Sequence, residues 1–152
     1  MITMGLRAAP KVITFAIYDS KEERVLNVED LLIPAAFLHS QALKYIRSNI
    51  LDILRIYDVC KAGIRTTEPI AKSISLERVH IEGVIQETFA SSNMSGYFSG
   101  PISTVCYYLG VSRNTFKPMV KDGNNDFDIG NWGTMSEAKR EAVLCAIGAA
   151  NA

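Results

Sequence analysis

The chain has 152 residues, with 16 basic and 16 acidic side chains and a formal net charge of zero. Hydrophobic residues make up 48% of the sequence and charged residues 21%. This composition is that of an ordinary globular protein, and it excludes a collagen, a coiled coil and a chain that is disordered throughout. The balanced charge provides no overall attraction to nucleic acid or to an anionic membrane, although a local basic patch is compatible with it.

Cys60, Cys106 and Cys145 are far apart in the sequence. An odd number of cysteines without a Cys-x-x-Cys pair argues against a zinc site or a disulfide framework, and favours a reducing compartment. No apolar run approaches the roughly 18 residues of a membrane span, and the first residues do not resemble a signal peptide. We therefore expect a cytoplasmic protein with no membrane partner. The length suits one domain, which we expect to span residues 1–152.

The N-terminal part of the sequence predicts three short β-strands. Residues 2–7 are apolar, and residues 12–18 and 24–33 are rich in the β-branched and aromatic side chains that suit a pleated sheet. The links between these segments are short and polar, which is typical of an antiparallel meander. After Pro34, apolar residues recur at steps of three and four from Ser40 to Tyr57, and this period predicts an amphipathic helix.

Strand and helix patterns alternate in the rest of the chain. Residues 59–64 form an apolar run that ends at Arg65, and Ser75 is suited to N-cap a second helix. Residues 97–98 suggest a short fifth strand. An apolar segment at residues 102–109 predicts a short helix.

Residues 111–135 are the least regular part of the sequence, with several glycines and asparagines. A connection of this length is often functional or mobile. We expect Trp132 to hold it against the start of the last helix, which begins at Ser136. The small, alanine-rich face of that helix predicts close packing on a sheet.

The resulting order is β-β-β-α-β-α-β-α, with an extra short helix before the last one. Hairpin-connected strands pair antiparallel, and strands connected through helices pair parallel. Layer rules then predict a mixed α/β fold with a five-stranded sheet and helices on both faces.

This order is that of the ribonuclease H-like fold, and four local strings resemble its Holliday-junction-resolvase branch, the RuvC-like proteins. Residues 4–7 (Met-Gly-Leu-Arg) lie where the family has Gly-hydrophobic-Asp, and residues 62–65 (Ala-Gly-Ile-Arg) lie where it has a hydrophobic pair before Glu. Residues 99–105 resemble a strand that leads into a Pro-x-x-x-(Val or Ile) helix start. Residues 139–143 are similar to an Asp-Ala-hydrophobic string in the last helix. The resemblance covers most of the chain outside the irregular insertion at about 111–135.

The resemblance implies a carboxylate cluster that holds two divalent metals for phosphodiester cleavage. It places Arg7 and Arg65 on two of the acidic positions and leaves a carboxylate only at Glu141. Because arginine stays protonated and cannot ligate Mg²⁺, we expect a domain that has lost its metal site and uses no cofactor. It would bind nucleic acid or a phosphorylated ligand, or act as a scaffold, with Arg7, Arg65, Lys117 and Lys121 as phosphate-binding residues.

Alternatives remain open. A shifted alignment gives a nuclease with Mg²⁺ or Mn²⁺ bound by Asp19, Glu68 and Glu141. Ordinary roles compete with this set: Asp19 as a turn residue, Glu68 as a loop residue or a partner of Arg65, and Glu141 as a helix-surface acid. In the same way, Arg7 and Arg65 would pair with Glu68 and Glu141 and only stabilise this end of the domain. A third possibility is a structural subunit that forms a homo-oligomer or binds another chain.

The two histidines, His39 and His80, are distant in the sequence, and neither has a second metal ligand four residues on. We expect ordinary solvated or hydrogen-bonded side chains at both positions.

Overall fold

A computed structural model describes residues 1–152. Its five strands form one mixed sheet in the order β3-β2-β1-β4-β5. The first three strands pair antiparallel, whereas β4 pairs parallel with β1, and β5 pairs parallel with β4. The strand bounds are β1 (Ile2–Ala9), β2 (Val12–Asp19), β3 (Arg24–Leu32), β4 (Lys61–Arg65) and β5 (Gly96–Gly100). The expected mixed five-stranded sheet with an N-terminal meander is confirmed.

Helices cover both faces of the sheet, as the sequence predicts. The helix bounds are α1 (His39–Ile56), α2 (Leu76–Ala90), α3 (Ile102–Leu109), α4 (Arg113–Lys121) and α5 (Glu137–Ala149), with a 3₁₀ turn at Trp132–Thr134. The first two helices lie on one face and the last three on the other. None of the helices combines the length and the hydropathy needed to cross a bilayer.

The sheet separates two hydrophobic cores, because successive side chains of a strand point to opposite faces. Met4 and Leu6 of β1 pack towards α1 and α2. Ala16 and Tyr18 of β2 pack towards α3, α4 and α5. Helix α5 is buried along nearly its whole length, which explains why its sequence shows a small-residue pattern rather than a clear polar face.

Gly5 allows α5 to lie directly on β1. A Cβ atom at this position would be only 1.9 Å from the carbonyl oxygen of Ala142 and 2.3 Å from the backbone nitrogen of Ala146. Close by, the Thr3 hydroxyl donates a 2.6 Å hydrogen bond to the carbonyl of Ala146. The helix and the strand are therefore in backbone-to-backbone contact, closer than any residue with a side chain would permit.

We expect Gly5→Ala to lower the free energy of unfolding by about 3 kcal/mol or more, because the added methyl must displace helix backbone rather than a flexible side chain. Gly83→Ala is the matched control. A Cβ at Gly83 meets nothing within 4 Å, and alanine is favoured over glycine in a helix interior by roughly 1 kcal/mol. Urea denaturation of both variants measures the difference, and similar effects at the two sites would contradict the close contact.

The segment expected to be irregular, at about residues 111–135, is partly helical. Helix α4 occupies Arg113–Lys121, with Ser112 at its N-cap accepting a 3.2 Å hydrogen bond from the backbone N–H of Thr115. Its apolar residues, among them Phe116, are buried in the core next to α5. The expectation of irregular structure was wrong here, because the capping serine and the apolar spacing outweigh Pro118 and the glycines and asparagines that follow.

Trp132 holds the rest of this segment against the start of α5, as predicted. Its ring is 3% exposed, and its Nε1 donates a 2.8 Å hydrogen bond to the carbonyl of Asn124. The guanidinium of Arg140 lies 5.9 Å from the ring centroid. It also donates hydrogen bonds to three carbonyls, those of Val120 (2.8 Å), Trp132 (3.1 Å) and Gly133 (3.2 Å). Arg140 thus connects α4, the 3₁₀ turn and α5.

The fluorescence of Trp132, the only tryptophan, should report this packing. We expect native emission at a shorter wavelength than that of a hydrated indole, with a red shift on unfolding. Arg140→Lys should shift the native emission to the red, because an ammonium cannot reproduce the planar fork that reaches three carbonyls. Lys139→Ala, at the partly exposed neighbouring position, is the control and should leave the emission unchanged. Hydrated emission in the native wild type would contradict the packing.

Candidate functional site

The candidate site lies at the carboxyl ends of β1 and β4, where Arg7 and Arg65 are in-register neighbours on parallel strands. Because α5 rests on Gly5, it places Glu141 beside both arginines. Arg7 forms an ion pair with Glu141 through Nε and Oε2. Arg65 Nη1 lies 3.4 Å from the same oxygen. One carboxylate therefore bridges guanidinium groups from two adjacent strands.

Glu68 links this group to α3. Its Oε1 lies 3.5 Å from Arg65 Nη2 and accepts a 2.9 Å hydrogen bond from the backbone N–H of Ile102, the first residue of α3. A carboxylate at a helix N-terminus satisfies a free N–H and favours the helix dipole. Of the ordinary roles considered for Glu68, the structure shows the partner of Arg65.

A second buried ion pair, not anticipated from the sequence, adjoins the first. Arg78 Nε lies 2.8 Å from Glu82 Oε1 on α2, and the Thr67 hydroxyl is 3.0 Å from each carboxylate oxygen of Glu82. Glu82 is only 4% exposed. The signal that would have revealed the pair is the four-residue spacing of opposite charges on a helix, here on a face that also carries buried Ile81.

Three guanidinium nitrogens of these pairs are buried without a hydrogen-bond acceptor: Arg7 Nη1, Arg65 Nε and Arg78 Nη2. An unpaired buried donor costs free energy, and more so when it carries charge. The acidic side chains at this site hold the arginines in place but leave part of their donor capacity unused.

The fold has counterparts among solved structures. RuvC of Thermus thermophilus matches with a TM-score of 0.70 and 12% identity, over 99% of this chain and 93% of that one. RuvC from the same organism in complex with a Holliday junction substrate matches with a TM-score of 0.68 and 13% identity, over the same shares of both chains. The chain has the ribonuclease H-like fold of RuvC. No protein-family model and no curated protein matches the sequence.

Within this RuvC-type fold, Asp19 lies at the opposite end of the sheet from Glu141. The antiparallel register pairs Asp19 with Ile2, and Arg7 with Thr14. The five residue steps from Thr14 to Asp19 correspond to roughly 17 Å along the strand. Asp19 accepts a 2.9 Å hydrogen bond from the backbone N–H of Lys21, which is the main cause that lowers the pKa of its carboxyl. Asp19 is therefore the last residue of β2, and its carboxylate caps the turn that follows.

The alternative set of Asp19, Glu68 and Glu141 is thus not brought together. No group of three or more histidine, cysteine, aspartate or glutamate side chains in the chain is arranged to hold a metal ion. Magnesium needs several hard oxygen ligands in near-octahedral geometry. The donor set at the carboxyl ends of β1 and β4 does not meet this need, because the carboxylates of Glu141 and Glu68 are already paired with Arg7 and Arg65.

Burial raises the pKa of the Glu141 carboxyl above its usual range. The guanidinium groups of Arg65 and Arg78, and the ammonium of Lys121, act against that rise. The positive side chains around Glu141 therefore offset part of the rise in its pKa that burial causes.

Helix α4 presents a row of basic side chains at the rim of the site. Lys121, at its last turn, is close enough to Glu141 to affect its pKa. Lys117 and Arg113 precede it at four-residue steps, about 6 Å apart along the helix axis, and all three are exposed. We call these three residues the α4 basic row. The structure thus brings Lys121 towards Glu141, and Lys117 lies one turn before it on α4.

We expect Glu141→Ala to lower the free energy of unfolding by about 3–5 kcal/mol, because it leaves Arg7 and Arg65 side by side without their shared anion. The control is Glu87→Ala, which removes the partner of Arg47 from an exposed ion pair, and its effect should be much smaller. Thermal and urea denaturation of both variants test this. Equal effects would show that the bridging carboxylate does not stabilise this end of the sheet.

Proposed function

We propose that this domain binds nucleic acid through its phosphates, without a metal ion, and that it acts as a binding or scaffold module that does not cleave its ligand. The observation that carries the proposal is the pair of in-register arginines, Arg7 and Arg65, each with a buried donor nitrogen that no acceptor of the chain reaches. Both nitrogens are shielded from solvent in the free protein, so a phosphate oxygen, the acceptor that they lack, reaches them after a small movement of the surrounding side chains. Guanidinium suits that role because it stays charged and donates in a fixed planar geometry.

Glu141 contributes by orienting the two donors. It pairs with Nε of Arg7 and Nη1 of Arg65, so the unpaired atoms are Nη1 of Arg7 and Nε of Arg65. Side chains that are already fixed lose little conformational entropy when a ligand binds. The ion pairs that stabilise the fold would therefore also prepare the arginines for an anion.

The excess positive charge needed for affinity comes from the α4 basic row. Arg7, Arg65 and Arg78 are matched by the carboxylates of Glu68, Glu82 and Glu141 within the site. Helix α4 adds three exposed cations without a salt-bridge partner. Binding that depends on such side chains is sensitive to salt, because counterions are released from the phosphates.

The arrangement of charges favours a polymer over a small phosphorylated molecule. The α4 basic row is a line of cations whose last member, Lys121, lies near Glu141, and a line suits successive phosphates better than a single one. RuvC of Thermus thermophilus, which has the same fold, was solved in complex with a Holliday junction substrate, and this supports a nucleic-acid ligand. Nucleic acid is therefore the ligand that we propose.

The absence of cleavage follows, in this proposal, from the same two arginines. Metal-dependent phosphodiester cleavage uses cations that stabilise the attacking and leaving oxygens. Arg7 and Arg65 place permanent positive charge on both sides of Glu141, and that charge repels Mg²⁺ or Mn²⁺. We infer that the nuclease site of the RuvC-type fold has been replaced by a phosphate-binding site.

Fluorescence anisotropy with a labelled four-way DNA junction, and with duplex and single-stranded DNA and RNA, tests the proposal at several salt concentrations. We expect Arg65→Gln to weaken binding about tenfold and to reduce the salt slope by about one. Lys121→Ala should weaken binding several-fold without changing the melting temperature, since its side chain is exposed. The control is Lys21→Ala, at the opposite end of the sheet, which should bind like the wild type.

Glu141→Gln separates binding from catalysis. It removes a negative charge from the site, while the amide oxygen of glutamine can still accept hydrogen bonds and orient the arginines, so we expect nucleic-acid affinity to stay the same or rise. Cleavage of DNA or RNA by the wild type in Mg²⁺ or Mn²⁺, lost in Glu141→Gln, would establish a nuclease instead. Equal affinities of Arg65→Gln, Lys121→Ala and Lys21→Ala would leave the arginines a purely structural role.

A further inference from the structure

The two histidines of the chain meet on its surface although 41 residues separate them. His39 is the first residue of α1, and His80 lies in the second turn of α2. Nε2 of His39 is 2.9 Å from Nδ1 of His80, and the ring centroids are 5.1 Å apart. Both side chains are exposed, so the folding of α1 against α2 places two imidazoles together within reach of solvent.

We propose that this pair binds a divalent transition metal such as Zn²⁺, with water molecules as the remaining ligands. Two imidazole nitrogens bound to zinc at 2.0–2.1 Å in tetrahedral geometry are roughly 3.3 Å apart. The two nitrogens that face each other need to separate by only about 0.4 Å to reach that spacing. Each ring must also turn by roughly 35° so that both lone pairs point at one tetrahedral metal ion. Side-chain rotations can achieve this, because both rings are exposed to solvent.

The protons of the pair are compatible with metal binding. When both rings are neutral, each carries one N–H, and one of the two facing nitrogens donates to the other. If Nε2 of His39 is the donor, moving its hydrogen to Nδ1 of the same ring leaves both facing nitrogens with a free lone pair. Binding then requires a tautomer change and no net loss of a proton.

The surroundings fit an open site with two protein ligands. Glu77 lies one turn before His80 on α2, and it lines the same cleft as His39 and Lys11. Since no third metal-ligating side chain is in place, most coordination positions belong to solvent. Imidazole ligands favour zinc, copper and nickel, whereas magnesium prefers oxygen. A bound metal would join the N-terminal turns of α1 and α2.

Calorimetric titration of the tag-free protein with Zn²⁺ tests the proposal. We expect one site per chain, and a melting temperature raised on the order of 5–10 °C at a hundredfold excess of free metal over Kd. Mg²⁺ should give neither binding nor a shift. His39→Ala and His80→Ala should each abolish both effects, and the double variant should lose nothing more, because one remaining imidazole does not bridge the helices.

Cys60→Ser is the matched control, since Cys60 is the one cysteine that is not buried and thiolates also bind zinc. It should bind Zn²⁺ like the wild type. Zinc binding that persists in both histidine variants, or that disappears in Cys60→Ser, would overturn the proposal. So would a wild-type protein whose melting temperature does not respond to Zn²⁺. None of these outcomes depends on nucleic-acid binding.

Discussion

The contact between Gly5 and the backbone of α5 determines the electrostatics at one end of the molecule. Because no side chain intervenes, the helix lies low enough for Glu141 to bridge Arg7 and Arg65. A larger spacing would leave the guanidinium groups of Arg7 and Arg65 next to each other without their shared anion, which is strongly unfavourable. The steric fit between α5 and β1 therefore also sets the charge balance at the carboxyl ends of β1 and β4.

The same group of ion pairs balances the charges at this end of the fold without a bound metal ion. Carboxylates that lie close together need a cation between them, and a metal commonly supplies it. Here the arginine side chains of β1 and β4 supply this positive charge. Because they are part of the chain, the charge balance does not vary with metal concentration. In the proposed function, a ligand binds the arginine N–H groups that are not paired within the chain. The same side chains then contribute to both stability and binding.

The sequence was informative where the signal is local or periodic. The period of apolar residues predicted the meander, α1 and the alternation that follows, and the capping serine with its alanine-rich helix predicted α5. Pro118 and the glycines after it concealed α4, because a short helix stabilised by core packing has little local signal. Asp19 could not be placed from an alignment, since only the antiparallel register shows that it lies far from Glu141. The contact of His39 with His80 depends entirely on helix packing, which no spacing in the sequence encodes.

Arg140 has no acidic partner, and its bonds to three backbone carbonyls have a consequence for how this chain can change. Every residue type provides a carbonyl, so the side chains between α4 and α5 can be replaced while the bonds to Arg140 are kept. Only the path of the backbone, and the few residues that set it, are constrained. The sequence of this connection can therefore change while its backbone shape stays nearly constant. The position of the α4 basic row relative to Arg7 and Arg65 is then preserved.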